Sequence, residues 1–336
     1  MREELSGSVA RPPRITVAIP TFRRPERLRG AIASVRAQCG LAAHEYGILI
    51  IDNAPEESAC AIAKSFPAGG APIRYVHEAQ CGPAHARNRA VQEAHAEFIA
   101  FLDDDETASP GWLAALLHAI NANEADAAFG PVIARFDFPP QRHVDFVRRL
   151  YSRTFHAEPG VDIGRHYAHL GTGNSIFRVA TCFAGPEPFP VEVASTGGED
   201  TVFLRRLALT KRRFVWAAEA SVEEHVPADR TQPEFLRARR FRQGQLRTLA
   251  CLTGSLRGKI EAGFWMAAGI AQYAIAACGR VVFQAAGKLE RAEQAGFQMA
   301  GGLGKFAWWA PSPSQYGATP NHGKVATIGV KIQNFS

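Results

Sequence analysis

The feature that most restricts the fold of this chain is a regular alternation of short apolar runs and amphipathic stretches between residues 14 and 121. Short, almost uncharged strands that alternate with helices are typical of a mostly parallel sheet covered on both faces. The predicted strands are Arg14–Pro20, Gly47–Asp52, Ile73–His77 and Phe98–Asp103. The predicted helices are Pro25–Gln38, Glu56–Ser65, Pro83–His95 and Pro110–Asn121.

The pattern changes in the second half of the chain. Strands are predicted at Ala127–Phe136 and Gly173–Arg178, and a helix at Glu199–Leu209. A further extended segment begins at Phe214–Trp216, and Gln232–Thr248 is predicted to be a basic helix. No internal repeat is visible, so the chain does not have the sequence of a solenoid.

Composition limits the class of protein. With 336 residues, of which 46% are apolar, the chain can bury a full core. The net charge of +6 indicates an anionic partner, namely nucleic acid, a phosphorylated substrate or a membrane surface. The six cysteines form no C-x-x-C pair, which argues against a zinc or thioredoxin-type site, and their scattered positions fit a reducing compartment. The first 13 residues lack an apolar core, so they do not have the pattern of a signal peptide and we expect a cytoplasmic protein.

Three adjacent carboxylates, Asp103, Asp104 and Asp105, follow the predicted strand FIAFL. In an extended chain alternate side chains share a face, so Asp103 and Asp105 can act on one site. Oxygen ligands of this type suit Mg²⁺ or Mn²⁺, which often bridge to substrate phosphates. The alternative is an acidic surface turn that caps the next helix, but the apolar strand in front of the cluster favours a metal site.

An apolar strand that ends in such an acidic cluster resembles the metal site of GT-A glycosyltransferases. Four further segments, in family order over residues 14–210, resemble glycosyltransferase family 2. They are ITVAIPTFRRPERLRGAIASVRAQ, Ile48–Asn53, GPAHARN at 82–88 and Gly198-Glu199-Asp200. A closer resemblance is to bacterial exopolysaccharide enzymes of the succinoglycan-biosynthesis glucosyltransferase type. It is carried by PTFRRPERL, IDNAPEES, GPAHARN, TGGEDTVFLRRL, and EEHVP followed by RRFRQGQ.

The resemblance implies an α/β GT-A fold. We expect a mostly parallel central sheet with helices on both faces, followed by a helical C-terminal extension. The expected organisation is a flexible N-terminus 1–13, a catalytic domain 14–228 with a nucleotide-binding half 14–106 and an acceptor half 107–228, a basic and apolar helical region 229–309, and a poorly ordered tail 310–336.

By the same resemblance the donor nucleotide contacts the ends of the first, second and fourth strands. Asp52 is expected to face the uracil ring, because a carboxylate can accept the N3–H of that base. The alternative is that Asp52 only forms the turn before Asn53. The other residues expected at the nucleotide are Pro20, Thr21, Arg23, Asp103 and Asp104.

Two arginines are expected near the donor phosphates. Arg87 can pair bidentately with a phosphate or with the acidic cluster, unless it is simply a solvated helix residue. The segment Arg239–Gln245 is similar to the arginine-containing segment that closes over the donor diphosphate in the family, which assigns Arg242 to the donor. It departs from the Q-x-x-R-W form of processive synthases, and this departure indicates addition of a single sugar.

The resemblance also assigns the reacting groups. In inverting members an Asp at the position of Asp200 is the general base, and Glu199 beside it would position the acceptor or shape the site. A divalent metal, Mn²⁺ or Mg²⁺, would be held by Asp105 and Asp103 and would stabilise the departing diphosphate. Some related enzymes have a metal-binding His at the position of His225. The alternatives are helix N-terminal acids favoured by the dipole for Asp200 and Glu199, and an ordinary loop or core residue for His225.

The segment Ala262–Gly279 has no charged residue and is flanked by Arg257, Lys259 and Arg280. We expect a helix on the cytoplasmic face of the inner membrane, held by apolar and basic contacts. A packed core helix and a membrane span remain alternatives. A membrane location would suit an acceptor linked to polyprenyl diphosphate.

These observations predict an inverting hexosyltransferase that moves a sugar, with glucose expected, from a UDP-sugar to a saccharide acceptor in exopolysaccharide biosynthesis. A dinucleotide-dependent oxidoreductase is excluded, because the chain has PTFRRPE where a Gly-rich turn is needed. A metal-dependent nucleotidyltransferase remains an alternative. A nucleic-acid-binding protein would explain the basic charge but not the acidic cluster, which would repel phosphates, so no nucleic acid is expected as a partner.

Overall fold

The computed structural model describes residues 13–158, 160–193, 197–252 and 255–309. The predicted tail 310–336 and nearly all of the predicted N-terminus 1–13 lie outside these residues. The strands of the described chain are β1 Ile15–Thr21, β2 Tyr46–Asp52, β3 Ile73–His77, β4 Phe98–Phe101, β5 Glu106–Ala108, β6 Ala127–Phe129, β7 Val132–Phe136, β8 Ser175–Arg178, β9 Phe214–Trp216 and β10 Val222–Val226.

A seven-stranded sheet forms the centre, in the order β3-β2-β1-β4-β8-β6-β9. Strands β3, β2, β1 and β4 are parallel to one another, β9 is parallel to β6, and β8 is antiparallel to both of its neighbours. The predicted mostly parallel sheet is therefore confirmed.

The helices are α1 Pro25–Arg36, α2 Cys60–Lys64, α3 Pro83–Glu93, α4 Trp112–Ala122, α5 Val144–Tyr151, α6 Val179–Cys182, α7 Glu199–Leu209, α8 Pro233–Leu249, α9 Leu256–Ala285 and α10 Leu289–Phe306. Three of them, α1, α3 and α8, begin with a proline in the first turn, where the missing N–H would have had no intrahelical partner. Helix α2 is shorter than the predicted Glu56–Ser65.

Helices cover both faces of the sheet, as the apolar strands predicted. Val17 and Ile19 of β1 belong to one core cluster with Leu28 of α1, whereas Ala18 belongs to a second cluster with Ala84 of α3. Successive residues of a strand point to opposite faces, so a strand covered on both sides must be apolar at every position.

A second, three-stranded sheet lies in the order β5-β10-β7. The single strand predicted over Ala127–Phe136 was wrong, because Gly130 and Pro131 divide it into β6 of the central sheet and β7 of this smaller sheet. A Cβ atom at Gly130 would clash with the carbonyl oxygen of Ala220, so only glycine allows this close approach.

The C-terminal helices pack as a layer in which α10 contacts both α8 and α9. Glycines allow the backbones to approach closely: a Cβ atom at Gly304 would clash with the carbonyl oxygen of Phe241 in α8, and one at Gly269 in α9 would lie 2.6 Å from Gly302 O. Phe297 of α10 is buried in a third core cluster with Val147 and Tyr151 of α5, which fastens this layer to the rest of the protein.

Candidate active site

Polar groups converge at the edge of the central sheet where β1, β2 and β4 end. Thr21 pairs with Asp52 in the β1–β2 register, and β4 lies on the other side of β1 and leads directly into Asp103. Carboxyl ends of parallel strands are where open α/β sheets bind ligands. The structure thus brings together most of the residues that the sequence singled out.

Asp104 ties the end of β4 to the end of β1. Its Oδ2 accepts a hydrogen bond of 2.8 Å from Thr21 Oγ1, and its Oδ1 accepts one of 2.9 Å from Arg24 Nη1. Burial and the neighbouring Asp105 raise the pKa of the Asp104 carboxyl to about 6, although Arg24 and Thr21 oppose this rise. Asp104 therefore holds the β1 loop in place.

Arg87 of α3 bridges two acids that are far apart in the sequence. Its Nη1 lies 2.5 Å from Glu199 Oε1, and its Nη2 lies 3.4 Å from Asp103 Oδ1. Burial raises the pKa of both carboxyls, and the charge of Arg87 opposes that rise. Arg87 is therefore not the solvated helix arginine of the alternative interpretation.

Asp105 is also held by arginines. Its Oδ2 lies 2.9 Å from Arg24 Nη1 and 3.4 Å from Arg230 Nη1. Arg230 precedes α8, so the acidic cluster is joined here to the start of the C-terminal helices.

The turn Gly171-Thr172-Gly173 lies between the acidic cluster and Asp200. A Cβ atom at Gly173 would lie 2.6 Å from Asp103 Oδ2, and one at Gly171 would lie 3.6 Å from Asp200 Oδ2. The side chain of the next residue, Asn174, fixes the turn: its Oδ1 accepts from Trp112 Nε1 at 2.7 Å, and its Nδ2 donates to Pro131 O and Ala220 O at 2.7 and 2.8 Å. A side chain at Gly173 would therefore displace the Asp103 carboxylate, whereas one at Gly171 would displace the Arg153 guanidinium, 2.7 Å from the added Cβ.

Asp200 is the second residue of α7, which begins after Gly198 in the left-handed region at φ 93°. Its Oδ1 accepts a 2.6 Å hydrogen bond from the Thr201 N–H, and its Oδ2 is directed toward Gly171. Arg242 of α8 reaches the preceding turn, where a Cβ atom at Gly197 would clash with its Nη2. The structure therefore brings Arg242, Glu199 and Asp200 to one side of the site.

Asp52 differs from the expectation that it faces a uracil ring. The carboxylate is fully buried, and its oxygens accept hydrogen bonds from Ala54 N at 3.1 Å, Ala59 N at 2.7 Å and Tyr75 Oη at 3.1 Å. Its role in this structure is to hold the loop after β2. These contacts agree with the alternative that Asp52 forms a turn, although the turn extends beyond Asn53 as far as Ala59.

Pro20 and Arg23 flank Thr21 at the outer end of β1. Pro20 is partly exposed, and Arg23, with φ 56°, forms an exposed ion pair of 2.6 Å with Glu56. Arg23 therefore lies between β1 and the loop after β2, at the rim of the site.

His225 does not join Asp105, so the predicted metal pair is not assembled. The His225 Nε2 lies 3.2 Å from Thr107 Oγ1, and its Nδ1 lies 4.0 Å from Asp137 Oδ1, while the Asp105 carboxylate contacts arginines. Only the backbone N–H of His225 reaches Asp105, through a hydrogen bond of 2.8 Å to its carbonyl oxygen. Successive side chains of a strand point to opposite faces. Glu224 of β10 therefore points toward the acidic cluster, and the His225 side chain points away from it.

Three groups of the site were assigned no role from the sequence, namely the buried Glu106 and the half-buried Arg153 and Glu224. Glu106 accepts a hydrogen bond of 3.0 Å from the Asp103 N–H, and Arg153 Nη2 donates to Gly173 O at 2.6 Å. Glu224 of β10 lies opposite Glu106 of β5 in the antiparallel strand register. Burial and the neighbouring charge of Asp105 raise the pKa of the Glu224 carboxyl to about 7. Period-two alternation in EEHV was the available signal for Glu224, whereas no local pattern identifies Arg153.

Within the described ranges no group of three or more His, Cys, Asp or Glu side chains is arranged to hold a metal ion. The donor chemistry still fits Mn²⁺ or Mg²⁺, because Asp103 and Asp105 offer carboxylate oxygens beside Glu106 and Glu224, whose negative charges a cation would offset. Arg24 and Arg230 hold Asp105 in this structure, so binding would require Asp105 to exchange these partners.

Comparison with solved structures identifies the fold. The mannosyltransferase PcManGT from Pyrobaculum calidifontis, solved with GDP-Man and Mn²⁺, matches 85% of this chain and 86% of its own with a TM-score of 0.54 and 16% identity. S. aureus TarS 1-349 in complex with UDP matches 86% and 90% with a TM-score of 0.51 and 14% identity. The fold is that of a GT-A type glycosyltransferase.

Sequence comparison gives the family. The model of glycosyl transferase family 2 matches residues 16–182. Succinoglycan biosynthesis protein ExoM of Rhizobium meliloti (strain 1021) is 31% identical over 232 residues, which are 69% of this chain and 73% of that protein. The GalNAc(5)-diNAcBac-PP-undecaprenol beta-1,3-glucosyltransferase of Campylobacter jejuni is 27% identical over 34% of this chain and 36% of that protein. This chain belongs to glycosyltransferase family 2.

Proposed function

We propose that this glycosyltransferase is an inverting, metal-dependent enzyme that moves one sugar, glucose as the expected one, from a UDP-sugar to a saccharide acceptor. The observation that carries the proposal is the glycine turn 171–173, which separates Asp103 Oδ2 from Asp200 Oδ2. A donor bound at the acidic cluster would then have its reacting carbon on the side of Asp200.

In the proposed reaction Asp200 Oδ2 accepts the proton of an acceptor hydroxyl. The acceptor oxygen forms a bond to the anomeric carbon, while the bond from that carbon to the donor diphosphate breaks and its electron pair leaves with UDP. One displacement inverts the anomeric configuration. Glu199 is held by Arg87 and positions the start of α7, and Arg242, which reaches the same turn, would contact the donor diphosphate.

The metal proposal concerns Mn²⁺ or Mg²⁺ at Asp105 and Asp103. When bound, the ion would supply positive charge to the leaving diphosphate. Neighbouring residues would orient the two metal-binding carboxylates. Asp104 holds the loop after β1, and Glu106 accepts a hydrogen bond from the backbone N–H of Asp103. His225 is not part of this proposal, because its side chain contacts Thr107 instead.

Selectivity for UDP is proposed to depend on the end of β1 at Pro20, Thr21 and Arg23. Asp52 would act there indirectly, by holding the loop from Ala54 to Ala59. The UDP complex of TarS supports the binding of a nucleoside diphosphate by this fold. Uracil as the base is part of the proposal.

The acceptor is proposed to be an oligosaccharide on polyprenyl diphosphate in a bacterial exopolysaccharide pathway. The name of the Rhizobium relative supports a role in exopolysaccharide biosynthesis, and the name of the Campylobacter relative supports a lipid-linked acceptor. Such a lipid is held at a membrane, so the enzyme would work peripherally on the cytoplasmic face of the inner membrane. The organisation that we propose is a catalytic domain 14–228 with nucleotide and acceptor halves 14–106 and 107–228, and a membrane-directed helical region 229–309.

Calorimetric titration with UDP, GDP and ADP, with and without Mn²⁺, tests the donor site. Binding that is selective for UDP and strengthened by Mn²⁺ supports the proposal. Equal binding of all three nucleotides would remove the UDP assignment, and binding that ignores Mn²⁺ would remove the metal. NMR of the product distinguishes an inverted from a retained anomeric centre.

A further inference from the structure

Within the part of the chain that the structure describes, helix α9 has one face packed on the protein and one exposed face. Its 30 residues extend over about 45 Å, and its most apolar window has a mean hydropathy of 1.4. By length and composition it is the one described helix that could cross a membrane. The contacts that each face of α9 makes with the rest of the protein distinguish a helix that crosses a membrane from one that lies on its surface.

The inner face of α9 is fastened by polar contacts. Glu261 Oε2 lies 2.6 Å from Nη2 of the buried Arg205 in α7, and Tyr167 Oη donates to Glu261 Oε1 at 3.3 Å. Further along the helix, Gln272 Nε2 donates to Gln298 O and Gln272 Oε1 accepts from Lys305 Nζ, both at 2.8 Å. A crossing would carry these groups and α10 into hydrocarbon, where charged side chains such as Glu261, Arg205 and Lys305 are strongly disfavoured.

The outer face of α9 is an uninterrupted apolar stripe, which we call the outer stripe. Its members recur every three or four residues, so they share one side of the helix. They are Ile260, Phe264, Ala267, Ala271, Ile275, Cys278 and Val282, and all of them are exposed. An exposed apolar surface of this length marks an interaction site.

Charge indicates what covers the outer stripe. Glu261 is the only acidic residue of α9, and its carboxylate is paired with Arg205 on the inner face. Exposed basic residues lie at both ends of α9: Arg257 and Lys259 at its start, and Lys288 directly after its end. An apolar stripe flanked by exposed cations complements the acyl boundary and the anionic headgroups of a lipid bilayer.

We propose that α9 is an in-plane anchor, whose outer stripe enters one leaflet of an anionic bilayer while its inner face stays attached to the catalytic domain. This deepens the membrane location in the proposed function and depends on that part of it alone, not on the donor, the metal or the base. The anchor is continuous with the site, because α10 packs on both α9 and α8, and α8 carries Arg242.

Vesicle flotation of the full chain tests the anchor, with vesicles of phosphatidylcholine alone and of phosphatidylcholine with phosphatidylglycerol. Phe264, which is 63% exposed, is changed to Asp, and the matched control is Phe138→Asp at a phenylalanine that is 70% exposed outside α9. We expect flotation with the anionic vesicles, a loss of about tenfold or more in Phe264→Asp, and no change in Phe138→Asp.

Three results would overturn the anchor. They are no flotation of the wild type, equal loss in both variants, and retention of the bound protein in the vesicles after alkaline carbonate extraction, which would indicate a span. A dimer that Phe264→Asp dissociates, without any effect on flotation, would assign the stripe to a second copy of the chain. Titration of UDP with Mn²⁺ on Phe264→Asp keeps the two proposals apart, because the donor site should be intact in a protein that no longer floats.

Discussion

The guanidinium of Arg87 donates a hydrogen bond of 2.5 Å to the Glu199 carboxylate, although 112 residues separate them in the chain. Both side chains are almost fully buried, and Arg87 also pairs with Asp103. The contact joins helix α3 to the first residue of α7, directly before Asp200. It therefore links the geometry of the acidic cluster to that of the proposed base.

Arg87→Met should destabilise the protein by about 3–5 kcal/mol, because it leaves the buried Glu199 carboxylate without its partner. The measurement is urea unfolding at neutral pH. The double variant Arg87→Met with Glu199→Gln should recover a large part of the loss, since no uncompensated charge remains there. If the double variant were as unstable as the sum of the two single variants, the pair would not be coupled.

Asp200→Asn should lower the rate of sugar transfer by at least about a hundredfold, because an amide cannot accept the proton of the acceptor hydroxyl. Binding of UDP with Mn²⁺ should be unchanged, since Asp200 is separated from the acidic cluster by the glycine turn. Single-turnover rates and calorimetry measure the two quantities on one preparation. Transfer at the wild-type rate would rule out the role as base.

Asp105→Asn should remove the part of UDP binding that depends on Mn²⁺, and EDTA should have the same effect on the wild type. His225→Ala is the matched comparison, because the His225 side chain contacts Thr107 rather than Asp105. We expect His225→Ala to bind UDP and Mn²⁺ as the wild type does. A large loss in His225→Ala with none in Asp105→Asn would reverse the assignment.

Glu261 should stabilise the protein in a pH-dependent way. Burial raises the pKa of its carboxyl, but the hydrogen bond and charge of Arg205 outweigh burial and hold the pKa below its usual value of 4.5. A depressed carboxyl pKa contributes stability above the unfolded pKa and loses it as the pH falls through the folded one. The difference in melting temperature between the wild type and Glu261→Gln should therefore be full at neutral pH and shrink below about pH 4.5. A difference independent of pH would contradict the ion pair.

Two glycines in the C-terminal helices should respond oppositely to alanine. Gly304→Ala should destabilise by about 1–3 kcal/mol, because the added methyl group meets the backbone of Phe241. Gly263 has no atom within 4 Å of an added Cβ, so Gly263→Ala should stabilise by about 0.5–1 kcal/mol through helix propensity. Thermal unfolding measures both, and equal effects would contradict the close packing of α10 on α8.

Much of the catalytic fold follows from local sequence. The strand Ile73–His77, the helix Glu199–Leu209 and the segment Phe214–Trp216 have the predicted bounds, because apolar periodicity and capping glycines are local properties. The acidic cluster could be placed at a strand end for the same reason. The family motifs then gave the class of enzyme, which the comparisons confirm.

Tertiary structure decided the partners and directions of the side chains. The apolar pattern of Ala127–Phe136 contains no information about two separate sheets, and Gly130 breaks the strand because the backbone of Ala220 passes close to it. Asp52 looked available for a ligand but is enclosed by the loop it holds, and strand alternation within β10 turned Glu224 rather than His225 toward the acids. Spacing along the chain determines which residues reach the edge of the sheet. Which of them meet depends on the packing of segments more than a hundred residues apart, as Arg87 and Glu199 are.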